Sequence, residues 1–229
     1  MRLAILSDIH EDYESLLKIV ASAEAMGFDR LICLGDISGF SLPYYKYEDS
    51  RNAPACLALL REKCDIIIPG NHDVYAADRD PELPDSLKDK ECWPHEEDLD
   101  TGYNEDEISF LASLPFYEVL STPAGNILFT HYVYPNLSGF VKGFYSEEQE
   151  FREHFSYMRE LECKLCFTGH AHPGGFYWVH PRGLEQFRDR SIKINSFPSL
   201  IGIPSVTRNG YRSRFCTFDT SSLRLQMHR

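Results

Sequence analysis

Arg2-Leu3-Ala4-Ile5-Leu6-Ser7-Asp8-Ile9-His10 is a short apolar run that ends abruptly in Asp-x-His. The same pattern returns twice before residue 74. Arg30 to Leu34 runs into Gly35-Asp36, and Cys64 to Ile68 runs into Pro69-Gly70-Asn71-His72-Asp73. Between the first two runs, Tyr13 to Met26 carries Leu16, Leu17, Ile19, Val20 and Ala23 at helical spacing and stops at Gly27; Ala53 to Glu62 reads as a second helix. Strand, helix, strand, helix, strand implies a parallel sheet. Polar residues at the carboxyl ends of such strands are where α/β folds build their sites.

The second half is richer in strands: Phe116 to Leu120, Asn126 to Phe129, Lys164 to Phe167, Gly175 to Val179, Ser191 to Ile194, Arg212 to Phe218 and Leu223 to Met227, with one helix from Glu147 to Leu161. Asn209-Gly210 is a type I′ hairpin signal, because both residues tolerate positive φ. An α/β chain with two sheets packed together and helices outside accounts for these segments. At 229 residues, the expectation is one domain over residues 1–229. From Asp78 to Glu107 the chain turns polar and strongly acidic, which reads as an insertion, a solvated loop in preference to a lid. It ends in Asn104-Glu105-Asp106-Glu107, the start of a capped helix running to Pro115.

A net charge of −12 argues against long nucleic acids and anionic membranes, which attract Lys/Arg-rich faces. No apolar run approaches the ~18 residues of a membrane span. The start has too short an apolar stretch for a secretory signal, and the seven cysteines form no framework, so a cytoplasmic setting is expected. In Cys163-Lys164-Leu165-Cys166, residues three apart on a strand are expected on opposite faces, as core thiols.

The chemistry concentrates in Asp8-Ile9-His10, Gly35-Asp36, Gly70-Asn71-His72-Asp73, Thr130-His131 and Gly169-His170-Ala171-His172. Each follows an apolar strand, and carboxylate, imidazole and amide oxygen suit borderline divalent ions. Each motif alone arises easily by chance; the five in conjunction do not. His95, His154, His180 and His228 lie outside such contexts and are read as packing or surface residues.

These segments resemble the calcineurin-like metallophosphoesterases, in particular their small single-domain bacterial-type phosphodiesterase branch. The resemblance implies a four-layer sandwich of two mixed β-sheets flanked by α-helices. It further implies two divalent metal ions, Mn²⁺ first with Fe, Zn, Ni or Mg as alternatives. Asp8, His10, Asp36 and His172 would hold one and Asp36, Asn71, His131 and His170 the other, with Asp36 bridging. His72 would be the catalytic histidine, oriented by Asp73. Two cations roughly 3.5–4 Å apart can share a hydroxide and grip a phosphoryl oxygen, with His72 as acid toward the leaving group.

The implied activity is hydrolysis of a small phosphate-ester or nucleotide-type diester. The alternatives are a catalytically silent metal-binding interaction module, a nuclease, or a dinucleoside polyphosphate hydrolase. Glu11 and Tyr132 stand where many members have glycine, and the Asp-Arg pair of the protein phosphatase branch is missing after Asp36. Phe40, Tyr44, Tyr45, Tyr47, Tyr132, Tyr134, Tyr177 and Trp178 lie near the motifs and are able to stack on a base, although ordinary packing is the commoner role of any one of them. Arg208, Arg212 and Arg214 suit either a phosphate contact or a solvated hairpin.

Overall fold

A computed structural model describes residues 1–188, 191–208 and 212–229. The first half forms as its periodicity dictates: β1 (Arg2–Leu6), α1 (Tyr13–Met26), β2 (Arg30–Cys33), α2 (Ala53–Lys63) and β3 (Ile66–Ile67). Asp12 caps α1 through the amide of Ser15, and Asn52 caps α2 through that of Ala55. The third strand is shorter than its apolar run because Pro69 and Gly70 end it, and α3 (Asn71–Ala76) begins at once. That short helix was not foreseen from the sequence. The helix expected at the end of the insertion is α4 (Glu105–Ser113), with a reciprocal capping box between Asn104 and Glu107.

The remaining elements are β4 (Tyr117–Thr122), β5 (Gly125–Thr130), α5 (Arg152–Glu160), β6 (Cys163–Thr168), β7 (Phe176–His180), β8 (Gly183–Phe187), β9 (Ser191–Lys193), β10 (Ser199–Gly202), β11 (Phe215–Asp219) and β12 (Arg224–His228). The helix expected from Glu147 opens as a 3-10 turn, Glu148–Phe151, before α5. Two strands escaped the sequence reading. β8 is an edge strand with exposed Glu185 and Gln186, and β10 is four buried residues set off by Pro198, too short to show alternation. The expected Asn209-Gly210 turn lies outside the described residues.

The strands form two six-stranded mixed sheets, ordered β3-β2-β1-β11-β12-β9 and β4-β5-β6-β10-β7-β8. β1, β2 and β3 run parallel in the first, as do β5, β6 and β10 in the second. Alternation along β1 sends Leu3 and Ile5 into the core between the sheets, against Phe129, Phe167, Trp178 and Phe218. Ala4 and Leu6 face the other way, under Leu16, Ile19 and Val20 of α1 and Leu57 and Leu60 of α2. On the far side, Met158 of α5 packs with Leu128, Cys166 and Leu200. The result is the four-layer sandwich, with helices outside two mixed sheets.

All seven cysteines are free. Cys163 and Cys166 border the same cluster, contrary to the alternation expected of them. The register between β5 and β6 shifts by one residue at Asn126/Ile127, which turns Cys163 to the side that Cys166 occupies.

Candidate metal centre

The parallel strands of both sheets deliver their carboxyl ends to one edge of the sandwich. Asp8 and His10 follow β1, Asp36 follows β2, Asn71 opens α3 after β3, His131 follows β5, and His170 and His172 follow β6. The loops lock together through backbone bonds, Asp8 N–H to Gly35 O at 2.9 Å, His10 N–H to Asp36 O at 2.9 Å and Gly169 N–H to His131 O at 2.9 Å. The amide of His170 crosses between the sheets to donate to Asp8 Oδ1 at 2.9 Å.

Asp8, His10, Asp36, His170 and His172 all take positive φ, between 42° and 63°. Left-handed backbone is unfavourable for residues with a Cβ and persists where the surroundings impose it, typically at functional sites. Two glycines permit the close approaches. A Cβ on Gly70 would stand 2.1 Å from Asp36 Oδ1, and one on Gly39 would meet the His72 ring at 2.2 Å.

Two groups of donor atoms result. Asp8, His10, Asp36 and His172 place one ligand atom each within 4.8 Å of one another, and so do Asp36, His131 and His170. Asn71 lines the same cavity as Asp36 and His170. His10 Nδ1 donates to Gly39 O at 2.9 Å and His131 Nδ1 to Leu34 O at 2.6 Å, so each ring turns its Nε2 toward the centre. Across the centre, His10 Nε2 lies 3.1 Å from His172 Nε2, and His131 Nε2 lies 3.2 Å from Asp36 Oδ2. Asp8 Oδ2, Asn71 Oδ1, His131 Nε2 and His170 Nε2 are buried without hydrogen-bond partners. Ligand-type atoms buried together without hydrogen-bond partners are costly unless a cation joins them, so the set fits divalent ions.

The charges of the cluster balance one another. Burial alone would raise the Asp36 carboxyl, yet His131 and His72 beside it hold it well below the usual carboxylate range. Burial likewise works against a charged His131, but Asp36 outweighs it and pushes the imidazole up to about 9. Burial dominates at His10 and His170 and takes both down to about 3, so both are neutral ligand-type imidazoles.

His72 sits on α3 with its backbone N–H on Asp36 Oδ1 at 3.1 Å. Its partner is not the expected one. His72 Nδ1 lies 2.5 Å from Asp98 Oδ2, a residue of the acidic insertion. Asp73 instead accepts backbone N–H bonds from Ile37 and Gly70 at 3.0 Å and Ser38 at 2.9 Å, tying the loop after β2 to the start of α3. As the third residue of α3, its side chain points back toward the helix start, away from the ring beside it in sequence. Burial would lower the His72 pKa, but Asp36 and then Asp98 raise it above the ordinary histidine value.

The insertion is therefore part of the site, not merely a solvated loop. His95 is 2 % exposed, its Nε2 lies 2.9 Å from Asn71 Nδ2, and its ring stacks between Tyr75 and Phe140. Burial pushes its pKa down to about 4, so it is neutral and accepts from the Asn71 amide, which leaves Asn71 Oδ1 as the free atom. Trp93 and Pro94 line the cavity. Nothing near Trp93, His95 or Asp98 marks them in sequence except their place in a long loop beside the motifs.

Of the two departures, Glu11 also has a positive φ, 64°, and its buried carboxylate pairs with Arg51 at 2.7 Å. Tyr132 is buried beneath His170, with ring centroids 4.6 Å apart. Arg208 is held by Asp12 at 2.8 Å, a structural pairing. The cavity over the centre measures about 330 Å³ and shares Phe144, Ala171 and His172 with a larger one of about 770 Å³, which Arg188, Arg214 and Arg229 help to line.

Two packed mixed sheets that collect a buried Asp/His cluster at their strand ends define a metallophosphoesterase. Residues 1–174 match the family described as calcineurin-like phosphoesterase, and the chain belongs to that family. An uncharacterized protein of Methanocaldococcus jannaschii is 24 % identical over 99 % of this chain and 86 % of its own length. A metallophosphoesterase of Sphaerobacter thermophilus shares the fold with a TM-score of 0.72 at 21 % identity, over all of this chain and 87 % of that one. A Pyrococcus horikoshii protein does so with a TM-score of 0.66 at 14 % identity, over 100 % of this chain and 87 % of the other.

Proposed function

We propose that the protein is a phosphodiesterase acting on small phosphate diesters with two divalent ions, Mn²⁺ foremost. Asp8, His10, Asp36 and His172 hold the first, and Asp36, Asn71, His131 and His170 the second. The observation that carries this reading is the set of buried ligand-type atoms without hydrogen-bond partners, Asp8 Oδ2, Asn71 Oδ1, His131 Nε2 and His170 Nε2, converging around one shared carboxylate. Ions so held supply Lewis-acid charge for phosphoryl oxygens and lower the pKa of water at neutral pH.

The chain's own residues do the rest. Gly39 O and Leu34 O fix the tautomers of His10 and His131. Asp98 holds the proton on His72 Nδ1 and favours the imidazolium, whose Nε2–H is the donor for the departing ester oxygen. Among the described residues, the cavity lining includes no lysine or arginine. That favours a singly charged diester over a dianionic monoester, which would ask for further cations. Among the described residues, no helix is long and apolar enough to cross a membrane. Seven free thiols support a reducing, cytoplasmic setting.

The test is turnover of bis-p-nitrophenyl phosphate against p-nitrophenyl phosphate by Mn²⁺-loaded protein. Faster hydrolysis of the diester is expected. No turnover of either ester, with both metal positions filled, would sink the enzyme reading in favour of a metal-binding interaction module.

A further inference from the structure

Among the described residues, the two most exposed large hydrophobic side chains are Tyr44 at 64 % and Phe144 at 52 %. Both line the cavity that contains His10, Asp36, His72 and His172. Single exposed rings are ordinary on a protein surface. Two lining one cavity, beside a buried Asp/His cluster, are not.

They reach the rim from different parts of the chain, Tyr44 from the segment after Asp36 and Phe144 from the segment between β5 and α5, and each has a firm base. Next to Tyr44, Tyr45 is buried and stacks on the His10 ring with centroids 4.9 Å apart. Phe144 leans on Trp93 of the insertion at 5.4 Å and on His170 at 5.3 Å. Both aromatic groups are thereby tied to candidate metal ligands, yet both remain largely open to solvent. Among the described residues this lining includes no lysine or arginine, and the cavity offers flat apolar faces to whatever the phosphate carries.

We propose that Tyr44 and Phe144 form an aromatic rim that holds the base of a nucleoside phosphate ester, so that the site selects diesters bearing a nucleobase over diesters of small alkyl groups. This rests on the phosphodiesterase reading and names its substrate class. Stacking tolerates any base, because every base has a π-face, so the rim discriminates nucleoside from alkyl group and not one base from another.

The test compares two ligands that differ by the base alone, AMP and ribose 5-phosphate, titrated into Mn²⁺-loaded full-length protein. AMP is expected to bind about tenfold more tightly, the scale of one base stacked on one ring. Tyr44→Ala and Phe144→Ala each shrink that ratio, and the double variant brings it near one. Tyr44→Phe and Phe144→Tyr, which keep the ring, preserve it. A wild-type ratio near one, or an undiminished ratio in a double alanine variant with wild-type metal content and melting temperature, overturns the rim.

A second arm uses two esters with a common leaving group, thymidine 5′-(p-nitrophenyl phosphate) and methyl p-nitrophenyl phosphate. Equal kcat/KM on both overturns the rim and leaves the phosphodiesterase reading standing. A retained preference for AMP without turnover of either ester overturns the phosphodiesterase reading and leaves the rim.

Discussion

Asp73 and Asp98 are both acidic and both near His72, yet they carry different loads. Asp73 satisfies three buried amides, so Asp73→Ala leaves several N–H groups unpaired at about 1–3 kcal/mol each and should lower the melting temperature by many degrees. Asp98→Asn should leave stability and metal content close to wild type. It should lower kcat at least about tenfold on diesters with a poor leaving group and less on p-nitrophenyl esters, which leave without a proton. An equal loss on both ester types would mean that Asp98 does not act through the acid. A third residue sets an acid limit. His154 is buried with Nδ1 accepting from the Tyr134 amide at 2.9 Å, and burial holds its pKa down to about 3. The unfolded chain gains this proton below the ordinary histidine value of 6.5 while the folded one does not, so stability is complete above 6.5 and falls as the pH drops toward 3. Between pH 7.5 and 5.5, metal-free His154→Gln should lose about 1 kcal/mol less than wild type in urea unfolding.

At the scale of elements, the short join between β3 and α3 matters most, because Gly70 lets the first turn of α3 close over Asp36. Gly70→Ala would press a methyl group onto the carboxylate shared by both donor groups, so the bound Mn²⁺ measured by elemental analysis should fall from two per chain toward zero. Asn104→Ala at the start of α4 is a useful contrast. It removes one cap and should cost about 1 kcal/mol of stability with metal content unchanged. The insertion ahead of α4 illustrates how an element without a core of its own is fixed from outside: His95 lies between Tyr75 and Phe140, and Trp93 rests on Phe144.

Across the whole molecule, the candidate ligands divide between the sheets, with Asp8, His10, Asp36 and Asn71 from the first and His131, His170 and His172 from the second. A metal pair would therefore bridge the open edge of the sandwich as well as serve chemistry. Chelation should lower the melting temperature, and Mn²⁺ at about a hundred times its dissociation constant should restore roughly 2.7 kcal/mol. Scanning calorimetry with and without chelator measures this, and equal melting temperatures would show that the ions add nothing to the link between sheets.

The amino-acid sequence by itself determined the parallel β1-β2-β3 unit, because period-2 and period-3.6 patterns and their caps are local. It also located the Asp, His and Asn residues at strand ends, because each motif directly follows the apolar run that positions it. What only the tertiary structure decided depends on side-chain direction and on distant segments meeting. The turn of α3 sends Asp73 to backbone amides and leaves His72 to Asp98, 26 residues further along the chain. A one-residue shift in β6 brings Cys163 to the side of Cys166. His95, Trp93 and Asp98 gain their places from contacts made across the fold, which no spacing within an acidic loop encodes.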